Sequence, residues 1–236
     1  MEGQSHKGDG RALTSPGVVL TRASTGLVVE PWGRDGVRVI RSTRESEARV
    51  ALELPASRSA PPVVKSGLHF FDHMLETIAR QSDATLEVDC QTHRYPLSHL
   101  ITEDVGWTFG AAVHHLYEGR LHAGIEGSGS AEHAMDEAWA HALVSIEGRS
   151  SVSVEREAPG SRLEHVEDML SADVQEFFSG FAQGARATLH VWLRRGEDPH
   201  HTWEAGYRAF GLALRRAMSP NPLRAGVTVG IKGTLD

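Results

Sequence analysis

An internal repeat constrains the fold of this chain more than any other feature of its sequence. Ala84-Thr85-Leu86-Glu87-Val88 matches Ala187-Thr188-Leu189-His190-Val191 at an offset of 103 residues, from 84 to 187. Phe109-Gly110 matches Phe210-Gly211 at an offset of 101, which implies that one loop is two residues shorter in the second copy. A duplicated strand-helix-strand-helix unit predicts a pseudo-twofold α+β domain, in which each helix pair covers one face of an antiparallel sheet.

Hydrophobic periodicity predicts the elements of the first half. Apolar residues alternate with polar ones around Val39 and Leu52, as in strands with one buried face, and recur at helical spacing after Gly67. The predicted elements are two paired strands around a turn at 43–47, a helix at 70–81, a strand at 84–89 and a helix at 101–116.

The second half is predicted in the same way. A Gly-rich stretch at 119–130 is interpreted as a linker at the midpoint of the chain. The predicted elements are a short turn or helix at 135–138, a hairpin of strands 142–147 and 151–155, a helix at 173–185, a strand at 187–193, a helix at 202–218 and a closing strand at 225–231.

The amino-terminal 35 residues differ from the rest of the chain. They are rich in Gly, Ser and Thr and have no sustained hydrophobic period. We therefore predict a flexible extension over 1–35, with a short strand at 26–30. A single duplicated domain is predicted over 36–236, with halves at about 36–120 and 130–235.

Composition excludes several classes of function. Of the 236 residues, 40% are hydrophobic and 23% are charged, which is typical of a globular protein. The formal net charge of −7 argues against nucleic acid as a partner, because such binding requires an excess of Lys and Arg. No apolar run reaches about eighteen residues, no signal peptide is recognisable, and Cys90 has no second cysteine to pair with. These features indicate a soluble cytoplasmic protein with no membrane partner.

A histidine and a glutamate stand four residues apart at two places, in His200-His201-x-x-Glu204 and in His99-Leu100-x-x-Glu103. On a helix, residues at i and i+4 share one face, so each pair offers half of a divalent metal site. One such pair also arises by chance on surface helices, but these two are related by the repeat. The candidate ligands at equivalent positions are His99 and His200, Glu103 and Glu204, and His73 and Glu176.

Seven blocks of sequence resemble the imidazoleglycerol-phosphate dehydratase family in order and approximate spacing, and Arg41-x-Thr43-x-Glu45-Ser46 resembles its amino-terminal motif. The blocks are Phe71-Asp72-His73-Met74-Leu75, Glu103-Asp104-Val105-Gly106, Met135-Asp136-Glu137-Ala138, Gly148-Arg149, Thr188-Leu189-His190, His200-His201-x-x-Glu204-Ala205 and Lys232-Gly233. The resemblance covers about 37–235. It implies a duplicated ribosomal-S5-domain-2-like α+β fold and a homo-oligomer of trimers with 24 subunits. It also implies a dinuclear manganese site between subunits.

The resemblance implies the ligands of each metal. One Mn²⁺ would be held by His73, His99, Glu103 and one histidine of the His200-His201 pair. These imidazoles and carboxylates suit Mn²⁺ or a similar ion, with room for substrate.

The second Mn²⁺ would use the other histidine of the pair and Glu204. Two further histidines of the family are replaced here by Leu100 and Glu176. Because Leu100 cannot bind a metal and Glu176 can, the resemblance implies one or two Mn²⁺ ions per subunit.

The resemblance also implies a phosphate-binding group made of Arg149, Arg208 and Lys232. Parts of the family pattern are missing, since an Asn-Arg-Phe-Gly loop reads Glu126-Gly127-Ser128-Gly129 and Gly230-Ile231 stands before Lys232. Arginine is a strong partner for phosphate oxygens, although both arginines also fit the interpretation of ordinary surface cations.

The reaction implied by the resemblance is the dehydration of imidazoleglycerol phosphate to imidazoleacetol phosphate in histidine biosynthesis. Glu45, Glu204 and Asp136 are the candidate catalytic residues, although spacing alone favours a solvated turn carboxylate for Glu45. Two alternatives remain open from the sequence. One is a paralogue that uses the same metal scaffold on another substrate, with an imidazole-containing compound as one option, and the other is a non-catalytic assembly protein.

Overall fold

The structure is a computed structural model that describes residues 25–56 and 60–235. Most of the predicted flexible extension therefore lies outside the described residues. The short strand predicted at 26–30 is present as β1 (Gly26–Trp32), which pairs antiparallel with β2 (Gly36–Ser42). The boundary predicted at residue 35 thus falls in the turn between two paired strands.

The first half is a five-stranded sheet covered by two helices. Its strands are β1, β2, β3 (Ser46–Glu53), β4 (Val63–Lys65) and β5 (Thr85–Thr92), in the order β1-β2-β3-β5-β4. Its helices are α1 (His69–Ser82) and α2 (Ser98–Arg120). The predicted pair of strands around 43–47 and both predicted helices are confirmed. Val39, Val50 and Leu52 alternate inward and are fully buried beneath the helices.

The second half repeats this arrangement. Its elements are β6 (Ser128–Met135), β7 (Ala138–Ser145), β8 (Ser151–Arg156), α3 (Ser171–Ala185), β11 (Thr188–Arg195) and α4 (Pro199–Ala217). The strand order β6-β7-β11-β8 matches β2-β3-β5-β4 strand for strand, which confirms the predicted duplication. A small separate hairpin is formed by β9 (His165–Val166) and β10 (Met169–Leu170).

The helices lie between the two sheets, α1 and α2 against the first and α3 and α4 against the second. Their aromatic side chains meet at the centre of the molecule. The Phe177 ring of α3 lies 5.7 Å from Phe71 of α1, 5.9 Å from Phe109 of α2 and 5.5 Å from Tyr207 of α4. The halves therefore share one core. None of the helices in the described ranges is long and apolar enough to cross a membrane.

Helices α2 and α3 cross with their backbones in contact. Glycines make this possible, because a Cβ on Gly110 would lie 2.3 Å from the Phe181 carbonyl oxygen and one on Gly184 would lie 1.9 Å from the Trp107 carbonyl oxygen. Helices α1 and α4 pack less closely, since the nearest atom to a Cβ on Gly211 would be the Gln81 Cβ at 2.9 Å.

Three predictions about strands are wrong. Strands β7 and β8 do not form a hairpin, because both pair with β11, β7 antiparallel and β8 parallel. The sheets are accordingly mixed rather than antiparallel, and β4 likewise runs parallel to β5. The hairpin partner of β7 is β6, which begins inside the predicted linker.

The closing strand predicted at 225–231 is also absent. Only Val229 of its alternating apolar residues packs against the core, whereas Val227 and Ile231 are exposed. Gly226 has a φ of 75°, which interrupts an extended conformation.

Candidate active site

The contact between α1 and α4 brings together three of the predicted metal ligands. The Glu204 Oε2 atom lies 3.2 Å from His73 Nε2 and 3.2 Å from His200 Nε2. Ligand atoms of these three residues all lie within 4.8 Å of one another. We call this group the α1/α4 cluster. It joins the two halves, because His73 comes from the first copy of the repeat and the other two residues from the second.

The carboxylate of Glu204 is held from behind by Arg208, one turn further along α4. Arg208 Nε and Nη2 donate to Glu204 Oε1 at 2.9 and 2.6 Å, which leaves Oε2 facing the histidines. Burial raises the pKa of the Glu204 carboxyl, but its hydrogen bonds from Arg208 and His73 outweigh this and hold the pKa below its usual range. Glu204 is therefore a buried carboxylate that is ionised at neutral pH.

Carboxylates also orient both histidines of the His200-His201 pair. Glu167 lies 2.9 Å from His200 Nδ1, and Glu137 lies 2.9 Å from His201 Nδ1. With Nδ1 donating to a carboxylate, each ring keeps Nε2 as a lone-pair donor, as metal-binding histidines usually do. Glu167 is not among the predicted site residues, and no local sequence signal marks it, because its partner His200 is 33 residues away.

The two histidines point to different places. His200 Nε2 faces the α1/α4 cluster, whereas His201 Nε2 lies 3.6 Å from Asp136 on the turn between β6 and β7. Glu137, on the same turn, accepts hydrogen bonds from His201 and from the Asp198 backbone N–H, and these lower the pKa of its carboxyl to about 2. Asp198 caps the first turn of α4 by accepting a hydrogen bond from the His201 N–H at 3.0 Å. This cap fixes the position of the His200-His201 pair at the start of the helix.

The equivalent contact between α2 and α3 is more open. His99 Nε2 lies 3.7 Å from Glu103 and His99 Nδ1 lies 3.8 Å from Asp173. The carboxylate of Glu176, predicted to replace a histidine, makes no hydrogen bond or ion pair within 25–56 and 60–235. We call His99, Glu103 and Glu176 the α2/α3 group. Across the described part of one chain, none of these residues joins the α1/α4 cluster.

Glu45 stands exposed on the turn between β2 and β3, and this turn is fixed by a buried carboxylate. Asp104 of α2 accepts hydrogen bonds from both Arg41 and Ser46, and Arg41 also lies over the Trp107 ring at 4.9 Å. The sequence carried a signal for this network, because Arg41 and Asp104 both lie in the blocks that resemble the family.

The predicted phosphate-binding residues are divided between two places. Arg149 and Lys232 line a cavity of about 400 Å³ between the end of β7 and the carboxyl-terminal segment. Arg208 is not among the residues that line it, and its guanidinium is instead donated to Glu204 and to the Ala134 carbonyl oxygen. In this chain Arg208 is thus positioned to support the α1/α4 cluster.

Fold and site together define a duplicated α+β protein with a cluster of candidate metal ligands built between its halves. The sequence profile of imidazoleglycerol-phosphate dehydratase matches residues 66–214. The chain belongs to the imidazoleglycerol-phosphate dehydratase family, and it is therefore a hydro-lyase of the kind used in histidine biosynthesis.

Individual relatives agree with this assignment. The chain is 33% identical over 223 residues to the imidazoleglycerol-phosphate dehydratase of Paracidovorax citrulli, covering 94% of this chain and 100% of the relative. It is 34% identical over 197 residues to that of Azotobacter vinelandii, covering 84% and 96%.

Solved structures of the family have the same fold. The enzyme from Staphylococcus aureus N315 superposes with a TM-score of 0.66 at 26% identity, covering 78% of this chain and 98% of that one. The enzyme from Pyrococcus furiosus, in complex with (S)-C348, gives a TM-score of 0.67 at 26% identity, covering 83% and 99%. The comparisons favour the dehydratase interpretation over the paralogue and the non-catalytic protein.

Proposed function

We propose that this chain removes water from imidazoleglycerol phosphate to give imidazoleacetol phosphate. The observation that carries the proposal is the α1/α4 cluster, in which His73, His200 and the ionised Glu204 converge. Relatives that match along most of their length are named imidazoleglycerol-phosphate dehydratase, the enzyme of this reaction.

The cluster is suited to a divalent metal. Two imidazole nitrogens and one carboxylate oxygen are a donor set for Mn²⁺ or a similar ion, and Arg208 binds only Oε1 of Glu204, so Oε2 remains directed at the histidines. We propose Mn²⁺, held by His73, His200 and Glu204. A bound divalent ion supplies Lewis acidity, which lowers the cost of removing a proton from the imidazole ring of the substrate.

We propose that Glu45, Asp136 and Glu204 act as general acids or bases, which donate protons to the substrate or accept them from it. Glu45 is exposed, and its carboxylate has no hydrogen-bond or ion-pair partner in the described part of the chain, so it is free to give or accept a proton. Asp136 lies beside His201 Nε2. Expulsion of the side-chain hydroxyl as water needs a proton donor, and a carboxyl group within hydrogen-bond reach can provide it. The enol that results then becomes a ketone.

We infer that the α2/α3 group completes the site from a neighbouring subunit. His99 and Glu103 are directed toward solvent, with 59% and 41% of their side-chain surface exposed, and Glu176 is unpaired in the described chain. An open set of ligands at the surface is what a site shared between subunits requires. This agrees with a homo-oligomer of trimers with 24 subunits, in which His201 and Glu176 contribute to a second Mn²⁺.

The phosphate end of the substrate is proposed to lie in the cavity of Arg149 and Lys232. Both are cationic and both line the same space, where Arg149 can donate two hydrogen bonds to one phosphate group. The carboxyl-terminal segment then contributes directly to substrate binding.

A reconstitution experiment tests the proposed function. The purified protein would be stripped with a chelator, reloaded with Mn²⁺ and incubated with imidazoleglycerol phosphate, while mass spectrometry follows the loss of one water from the substrate. We expect turnover that depends on the metal and returns on reloading. Zero turnover by protein that contains its full metal complement would rule out the proposed reaction.

A further inference from the structure

The cavity that contains Arg149 and Lys232 is closed by the carboxyl-terminal segment. Val229 packs beside Gly127 so closely that a Cβ on Gly127 would lie 2.1 Å from the Val229 Cγ2 atom. Further along, Arg186 Nη1 donates to the Leu235 carbonyl oxygen at 3.0 Å. The segment is thus held at both ends, and the cavity of about 400 Å³ lies under its middle. This contact also explains why an arginine cannot occupy position 127 here.

A carboxylate shares this cavity with the two cations. Glu147 Oε2 accepts a hydrogen bond from Arg149 Nη2 at 3.0 Å, and its Oε1 accepts one from the Ser145 hydroxyl at 2.7 Å. The Ser145 hydroxyl and the Arg149 guanidinium lower the pKa of the Glu147 carboxyl. Lys232 has no ion pair among the described residues. The formal charge of the cavity is therefore +1 rather than +2.

We infer that Glu147 is a specificity-determining residue, which makes this cavity select phosphoryl groups that carry a hydrogen-bond donor over fully ionised anions. A bound anion must approach Arg149, where Glu147 already accepts a hydrogen bond. Two negative groups at one guanidinium repel each other, unless a proton or hydroxyl lies between them. A hydrogen phosphate, or a phosphate monoester with a neighbouring hydroxyl, offers such a donor to Glu147, whereas sulfate does not.

This inference rests on the proposed function only in taking the cavity as the phosphate end of the substrate site. Glu147 contacts Arg149 but need not touch the reacting carbons, so its effect should be on binding. We therefore expect a Glu147 variant to change the KM for the substrate and the affinity for simple anions more than kcat.

The experiment measures phosphate and sulfate binding to the full chain by calorimetry at neutral pH, without substrate. The wild-type protein should bind phosphate at least about tenfold more tightly than sulfate, and Glu147→Gln should raise sulfate affinity by about tenfold and remove most of this preference. Glutamine can still accept from Ser145, and Glu147→Ser serves as a second variant if Glu147→Gln unfolds. Arg149→Met should abolish binding of both anions.

Glu132→Gln is the matched control, because it removes the same unit of charge at a residue that is exposed on β6 and is not one of the cavity residues. Equal phosphate and sulfate affinities in the wild-type protein, or unchanged affinities in both Glu147 variants, would overturn the inference. Anion binding is read without turnover. Absence of dehydratase activity with a preserved preference for phosphate would therefore contradict the proposed function alone. Dehydratase activity without that preference would contradict this inference alone.

Discussion

The α1/α4 cluster and the α2/α3 group occupy equivalent positions in the repeat, yet only one of them is assembled within the chain. In the first, Glu204 is buried and lies 3.2 Å from two imidazoles. In the second, Glu103 is half-exposed and lies 3.7 Å from one imidazole. Equivalent ligand residues are thus not sufficient for an ordered site, and the difference must come from the residues around them.

The residue one helical turn after the glutamate differs between the α1/α4 cluster and the α2/α3 group. At an offset of 101, Arg208 corresponds to Trp107. Arg208 donates two hydrogen bonds to Glu204 and holds it in place, whereas Trp107 has no such donor directed at Glu103 and instead lies under Arg41. One cationic side chain therefore distinguishes the buried, hydrogen-bonded carboxylate of Glu204 from the half-exposed carboxylate of Glu103.

The turns beside the two helix starts show the same contrast. Glu45 directly precedes β3 and Glu137 directly precedes β7, so the two are equivalent in the repeat. Glu137 accepts a hydrogen bond from His201. The residue equivalent to His201 is Leu100, which has no ring nitrogen, and the Glu45 carboxylate has no hydrogen-bond or ion-pair partner among the described residues. The difference between histidine and leucine at this position thus accompanies a difference between a paired and an unpaired carboxylate.

Removing a ligand of the α1/α4 cluster should have the largest effect. We expect His73→Ala to lower turnover by on the order of 10³-fold, because several kcal/mol of Lewis-acid stabilisation is lost with the metal. Metal content, measured by plasma mass spectrometry, should fall by one equivalent per chain. His190→Ala, at an exposed histidine of β11, should change neither quantity. Full metal content in His73→Ala would show that the assembled cluster is not the metal centre.

The helix crossings provide a comparison of stability. We expect Gly110→Ala to lower the free energy of unfolding by about 1–3 kcal/mol, because the new Cβ collides with the Phe181 carbonyl oxygen of α3. Gly211→Ala at the α1–α4 contact should cost less, since its new Cβ would lie 2.9 Å from the Gln81 Cβ and 3.0 Å from the Ile78 carbonyl oxygen, farther than the 2.3 Å contact at Gly110. Alanine has the better helix propensity, so a net loss reports the collision. Denaturant unfolding measures both variants, and equal losses would contradict the difference in packing.

Arg208 should affect metal affinity rather than fold. We expect Arg208→Met to weaken metal binding by about 10–100-fold, because Glu204 loses the donors that orient it. Titration of the stripped protein with Mn²⁺ measures the change. Arg215→Met is the control, because Arg215 lies on the same helix as Arg208 but pairs with Asp83 at the end of α1, away from the cluster. Unchanged affinity in Arg208→Met would mean that Glu204 is held by its histidines alone.

Placing a histidine beside the α2/α3 group should change turnover least. We expect Leu100→His to raise metal content without a large change in kcat, because Glu45 can orient the new imidazole as Glu137 orients His201. Leu100 is only partly buried, so the substitution should be tolerated. The gain should be smaller in the double variant Leu100→His with Glu45→Gln. No gain in either protein would contradict the equivalence of the two turns.

Much of this organisation could be predicted from the sequence, because it depends on local periodicity and on the repeat. The helices, the paired strands β2 and β3, and the equivalence of His99 with His200 all follow from such patterns. Strand β6 was missed, since α4 passes so close that its inward residues are small, and a Cβ on Gly129 would lie 2.2 Å from the Ala213 carbonyl oxygen. Small residues give no hydrophobic alternation.

The incorrect hairpin and the unrecognised site residues have a different cause. β7 and β8 are neighbours in sequence but are separated in the sheet by β11, which follows them in the chain. Glu167 takes its role from a contact with His200, which is 33 residues away and not visible in local sequence. Arg208 stands at i, i+4 spacing from Glu204, but the sequence alone favoured a phosphate partner for it rather than that carboxylate. The candidate ligands could thus be predicted from the sequence, whereas the roles of Glu167 and Arg208 could not.

The joining of His73 from one copy with His200 and Glu204 from the other has a consequence for the ancestry of the chain. A single copy of the repeat carries one α1-type and one α2-type helix, and cannot build either cluster alone. An unduplicated precursor would have had to form a symmetric dimer, with two identical sites related by its twofold axis. In a fused chain the two sites can differ, and Leu100, which stands where the second copy has His201, is one such difference.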